Sequence, residues 1–203
     1  MPNWTANFVR ISHTDVAMMD RLEKACEGQG GVFQEFIPCP ADLLDTMSGF
    51  HVDEQEQAEL LAKQNANQEK YGYSTWYDHN VHVWGTKWDI TEVDNERLDP
   101  NSMTLNFDTA WSPPIEAYSE LTDLGFEIQA FYYEPGMAFC GQYDSDFGNT
   151  EYSLEDYTAD EIRDTIGAEV DDLFNISENM REWEDDNEED EEPVEVLNPF
   201  KKD

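Results

Sequence analysis

The chain has 203 residues, with 47 Asp and Glu against 11 Lys and Arg and a formal net charge of −36. Aromatic residues make up 13% of it, too many for a coreless acidic chain, so most of it is expected to fold. Clustered Lys and Arg for a phosphate backbone or an anionic membrane are missing, no apolar run approaches a membrane span, and MPNWTANFVR lacks a signal-peptide layout.

In chain order, residues 3–11 (NWTANFVRI) read as a strand, with Trp4, Ala6 and Phe8 on one face and Val9 and Ile11 on the other. Thr14 is the expected cap of a helix carrying Val16, Met19, Leu22 and Cys26, which Gly28, Gly30 and Gly31 end. Val32 to Ile37 is a short apolar stretch broken by Pro38 and Pro40. Asp53 to about Tyr71 is rich in helix formers and poor in large apolar residues, which predicts a surface helix within an insertion at about 40–83. Strands are expected at 86–93 and 103–109. In the second, Met103, Leu105 and Phe107 alternate with polar residues. Ser112 and Pro113 are read as the cap and first turn of a helix through Leu124. Phe126, Ile128, Ala130 and Tyr132 start a strand that turns at Glu134-Pro135-Gly136-Met137 into a hairpin partner at 138–143. This order predicts an α+β ferredoxin-like sandwich over residues 1–150, with an antiparallel sheet and helices on one face.

Residues 151–203 carry 21 acids and 4 cations. A stripe of Ile162, Ile166, Val170, Leu173 and Phe174 predicts a helical element over 151–176 that docks on the body, with Gly167 and Asn175 as breakers. Residues 177–203 read as an acidic, mobile tail, with little to bury beyond about Asn187.

Four stretches together, MPNWTANFV, FQEFIPCPADL at 33–43, WGTKWD at 84–89, and FDTAWSPPIEAYSEL through FYYEPGMAFCG at 107–141, resemble the YubB-type ferredoxin-like family of bacteriophages and conjugative plasmids. The resemblance covers about residues 1–145 and leaves the acidic end outside. It implies a ferredoxin-like fold and a mobile-element protein acting in the cytoplasm of a bacterial host. It brings no activity with it.

Candidate chemistry is sparse. Cys26, Cys39 and Cys140 are odd in number and widely spaced, which argues against a disulfide framework. The segment Asp78–His82 reads as a polar turn rather than a metal site, and Asp144–Gly148 lacks the twelfth-position Glu of a calcium loop. No phosphate-loop, dinucleotide or hydrolase motif occurs, and with 47 acids any carboxylate pair is uninformative. No enzyme, cofactor or metal is therefore expected. Trp84, Trp88 and Trp111, with Lys87 and Ser112, are either packed structure or a pocket for a small ligand such as a nucleotide. In the structural reading Lys87 pairs with Asp89 or Glu92.

The charge far exceeds the roughly 2–8 that solubility asks of a small domain. High-salt adaptation, a solubilising tail on an assembly protein, and imitation of nucleic acid are the competing explanations. If the 36 residues from Glu155 to Asp190 were helical, their 16 acids would fall about every 3.4 Å, similar to the phosphates of one DNA strand. On that reading Asp160, Glu161, Asp164, Glu169, Asp171, Asp172, Glu178, Glu182, Glu184, Asp185 and Asp186 face the cationic cleft of a basic host protein, of the restriction, CRISPR or recombination nuclease class. Trp183, with Met180, would be an apolar anchor. Neither nucleic acid nor membrane would be bound directly.

Overall fold

The computed structural model describes residues 3–28, 30–46 and 53–190. They fall into two compact units, divided between Ser153 and Leu154.

In the first unit, β1 (Trp4–His13) lies at the centre of an antiparallel sheet, between β3 (Ser102–Ala110) and β4 (Phe126–Glu134). β2 (Asp94–Asp99) lies outside β3, while β5 (Phe139–Asp144) and β6 (Gly148–Ser153) extend the sheet beyond β4. The spatial order is β2-β3-β1-β4-β5-β6. Its first four strands, with α1 (Val16–Glu27) after β1 and α6 (Ile115–Asp123) between β3 and β4, have the ferredoxin-like arrangement. Register does the sorting. Val9 sits between Leu105 and Ala130, and Ile11 between Met103 and Ile128, so all six fall on one face. There they are buried in one core with Met19 and Leu22 of α1 and Ala117, Tyr118 and Leu121 of α6. A slip of one residue would turn the whole set to the opposite face.

The insertion between α1 and β2 holds α2 (Val32–Phe36), α3 (Ala41–Leu44), α4 (Glu54–Tyr71) and α5 (Trp76–Val83). The Asp53 carboxylate caps α4 by accepting from the N–H groups of Gln55 and Glu56, and Gly72, at φ 81°, stops it. Only Leu60 and Asn67 of α4 are buried, as its composition predicts. Cys26, Cys39 and Cys140 are buried free thiols. Burial pushes Cys26 up to about 12 and Cys39 up to about 11.

Several local expectations change. Asp15, not Thr14, caps α1, because its carboxylate reaches the Ala17 N–H. The histidines of Asp78–His82 lie on a helical turn of α5, not in an irregular turn, because Thr75 caps that helix through the Asp78 N–H. The expected strand at 86–93 is irregular, and β2 begins only at Asp94. Gly85 turns the chain at φ 79°, and the following backbone serves the insertion instead of a β ladder, with the Ile90 carbonyl accepting from the Val32 N–H. β6 carries the body to Ser153.

The second unit contains α7 (Ala159–Ile166), α8 (Ala168–Phe174) and α9 (Ile176–Asp190). Thr158 and Glu161 form a reciprocal capping box at the start of α7. Gly167 (φ 88°) and Asn175 (φ 53°) break the chain as their residue types predict, and α7 packs against both α8 and α9. Ile162, Ile166, Val170 and Ile176 are buried. Residues 177–190, expected within a mobile tail, are helical, as part of α9. Glu, Met and Arg supply about half of α9, and Ile176 is buried in its first turn. The rest of the expected tail, 191–203, lies outside the described residues.

Candidate functional site: a motif cluster and an acidic helical face

The motifs at 33–43, 84–89 and 107–114 meet in space. Trp84 is a core residue, 3% exposed, whose Nε1–H donates to the Ile37 carbonyl at 2.9 Å. It does not join Trp88 and Trp111 in a pocket, because its ring packs on Phe33 and His79. Gly85 takes a positive φ of 79°, which strains an L side chain, and a Cβ there would also crowd the Ile115 backbone N at 3.1 Å. The Thr86 hydroxyl donates to the Ala110 carbonyl, and the Ser112 hydroxyl to the Gly85 carbonyl at 2.6 Å. Ser112 therefore ties two loops together and does not cap a helix. Its backbone precedes the true start, since α6 begins at Ile115 after Pro114.

Asp89 completes the cluster. Its carboxylate accepts from the N–H groups of Phe33 (2.8 Å) and Gln34 (2.6 Å), and from its own successor Ile90. Burial pushes the Asp89 carboxyl above its ordinary value, against the pull of these N–H groups. Gly31 makes the approach possible, because a Cβ there would lie 2.2 Å from the carboxylate. Glu134, only 1% exposed, closes its own turn in the same manner by accepting from the Gly136 and Met137 N–H groups.

Lys87 is not ion-paired with Asp89 or Glu92. Its Nζ lies 4.3 Å from the Trp88 ring centre, 5.1 Å from that of Trp111 and 5.9 Å from that of Tyr77. Asp89 is committed to α2, and the ammonium lies instead on ring faces, whose π clouds attract a cation. Trp111 takes a positive φ of 70°, rare for a bulky residue, with its N–H bonded to the Asn3 carbonyl. Trp4 stands 6.1 Å from Trp88. Trp4, Trp88 and Trp111 are each 40–48% exposed. Beside them runs a groove of about 500 Å³, to which Trp4, Trp88, Glu92 and Asp108 contribute. Lys87, Trp88 and Trp111 lie together with Tyr77, Trp88 also lies near Trp4, and Asp108 lines the adjoining groove; Trp4 and Asp108 belong to the quoted motifs, whereas Tyr77 carries no signal in the sequence.

In the second unit the expected partner-facing residues divide. Asp171 is internal, 2% exposed, and accepts from the Ser177 N–H and hydroxyl and from Arg163 at 2.7 Å. It cannot face a partner, because its carboxylate joins α8 to the start of α9. Burial works to raise the Asp171 carboxyl, but the Ser177 and Arg163 hydrogen bonds outweigh it and hold the group below its ordinary value. Arg163 also binds Asp172 at 2.6 Å, and Arg181 binds Asp160 at 3.0 Å. Glu161 is held by Thr158, which lowers its carboxyl, and Glu184 accepts from the Ala159 N–H. Asp164, Glu169, Glu178, Glu182 and Asp185 are exposed, and Trp183 is 69% exposed. Among the described residues Asp164, Glu178, Glu182 and Asp185 form no ion pair. Asp186 continues α9.

Residues 83–197 match the family described as the ferredoxin-like domain in Api92-like protein. The chain belongs to that family. The match begins one residue before Trp84 and takes in α7, α8 and α9, so the acidic helices lie inside this family's domain. Among solved structures, the crystal structure of a protein api92 from Yersinia pseudotuberculosis is similar over 75% of this chain and 98% of its own, at 14% identity and a TM-score of 0.45. No curated protein matches. Among the described residues of this Api92-like chain, no helix is long and apolar enough to cross a membrane.

Proposed function

We propose that this Api92-like chain is a non-enzymatic inhibitor carried by a phage or conjugative plasmid, which uses α7–α9 to occupy the cationic nucleic-acid cleft of a host defence or DNA-binding protein. The mobile-element assignment rests on the motif resemblance. The observation that carries the binding mode is the distribution of charge in the second unit. Arg163 and Arg181 are used up internally, and Asp164, Glu178, Glu182 and Asp185 have no ion pair among the described residues.

Helix α9 bears this surplus at a cost. Glu178 and Glu182 are like charges one turn apart, which disfavours a helix. The last turns of α9 are acidic with no cation, the wrong sign for the negative end of a helix dipole. A row of Lys and Arg on a partner would relieve both, and Trp183 supplies an apolar anchor among the charges. A nucleotide held by Lys87, Trp88 and Trp111 has less support. The Lys87 ammonium already lies on ring faces, and the adjoining groove is lined by carboxylates.

The test is capture of bacterial DNA-binding proteins on the immobilised full chain. Capture at low salt, release at high salt, and loss in a Glu178→Gln/Glu182→Gln/Asp185→Asn variant are expected. Equal capture by that variant would remove the proposal.

A further inference from the structure

The groove beside Trp88 has a chemistry of its own, and it does not depend on the role of α7–α9. Its sides are two indole rings, Trp4 and Trp88, 6.1 Å apart and inclined by 35°. Ile90 and Ala110, both buried, supply apolar lining. The charged groups able to meet a ligand are the carboxylates of Glu92 and Asp108, since Asp89 is spent on capping α2, and the exposed Thr91 adds a neutral hydroxyl. Both carboxylates are exposed, and among the described residues neither has an ion pair. Among the described residues no cation lines this groove.

Aromatic faces with free carboxylates and no cation select a positively charged, partly apolar group. The same cluster already displays the preference, because Trp88 and Trp111 hold the Lys87 ammonium on their faces. We infer that this groove binds the arginine side chain of a partner polypeptide, with the guanidinium plane against Trp4 or Trp88 and its N–H groups donating to Glu92 and Asp108. Arginine fits better than lysine. Its flat ion is more weakly hydrated, stacks on a ring and donates along its edge at the same time, whereas an ammonium is a compact, strongly hydrated point charge. The site lies within the first unit and would give this chain a residue-specific contact with basic polypeptides.

The experiment titrates the full, isotope-labelled protein with N-acetyl-arginine amide and follows the indole N–H signals of Trp4 and Trp88. Parallel arms use N-acetyl-lysine amide and the neutral isostere N-acetyl-citrulline amide. Saturable shifts at both indoles are expected with arginine, about threefold weaker binding with lysine, and none with citrulline. Glu92→Gln/Asp108→Asn should weaken arginine binding about fivefold or more without disturbing the fold, because both side chains are exposed. Glu178→Gln/Glu182→Gln should leave it unchanged, which separates this groove from general attraction to a −36 chain. Shifts spread over the acidic surface without saturating at Trp4 and Trp88, equal binding of citrulline, or undiminished binding in the folded Glu92→Gln/Asp108→Asn variant would each overturn the inference.

Discussion

In residues 3–153 key carboxylates close backbone geometry, whereas in residues 154–190 many have no such task. Asp53 caps α4, Asp89 caps α2, and Glu134 folds its own turn. Arg97 is held by Asp20 and Glu23, which pins β2 to α1. In the second unit, Asp171 and Glu161 play comparable parts, but Asp164, Glu178, Glu182 and Asp185 stand without ion pairs among the described residues. The contrast teaches that a −36 charge is not one property. Part of it is architecture, and part is a surplus that opposes the helices bearing it.

The comparison can be broken from either side. Asp89→Ala would leave N–H groups of Phe33 and Gln34 in α2 without their acceptor and remove one of the ties between the 33–43 and 84–89 motifs. A loss of about 3 kcal/mol in urea unfolding is expected, with Asp89→Asn in between. A loss below about 1 kcal/mol would show that the carboxylate is not structural. In the second unit, Asp171→Asn should cost about 2 kcal/mol, because Arg163 and Ser177 lose a charged acceptor. Since the folded Asp171 carboxyl lies below its ordinary value of 3.8, its contribution is complete above that value and disappears as pH falls through the lower, folded one. Wild-type stability should therefore drop on acidification below about pH 4 more steeply than that of Asp171→Asn, as read from parallel melts.

Smaller effects sharpen the contrast. The Thr5 hydroxyl is fully buried and has no hydrogen-bond partner among the described residues. Thr5→Val should stabilise the first unit by about 1 kcal/mol in urea unfolding, one of the few core polar changes that would. In α9 the opposite logic applies to exposed charge. Glu178→Gln/Glu182→Gln/Asp185→Asn should raise helicity at low salt by about 0.5 kcal/mol in total, with the difference vanishing at high salt, by circular dichroism. A salt-independent gain would point to propensity instead of repulsion.

How much of this was readable beforehand depended on whether a segment answers to its own period or to a distant neighbour. The alternations at 103–107 and 126–132 place β3 and β4, because burial of one sheet face imposes a period of two. Helix α4 was visible from composition and Asp53, and Gly167 and Asn175 were visible as breaks because a positive φ selects those residue types. By contrast, 86–93 looked like a strand while its backbone bonds to the insertion. Asp171 looked like one more surface acid, and only the fold brings Arg163 and Ser177 to it. Trp84, Trp88 and Trp111 looked alike, yet one is core and two flank a lysine.

The amino-acid sequence by itself determined the ferredoxin-like order of elements, the helical insertion and the concentration of acid near the end, because periodicity, capping chemistry and net charge are local or additive quantities. Tertiary structure alone decided which carboxylates are spent and which remain, and which tryptophans border a groove. A charge or a ring acquires its role from what is opposite it, and partners such as Gln34 and Asp89, 55 residues apart, leave no trace in local pattern.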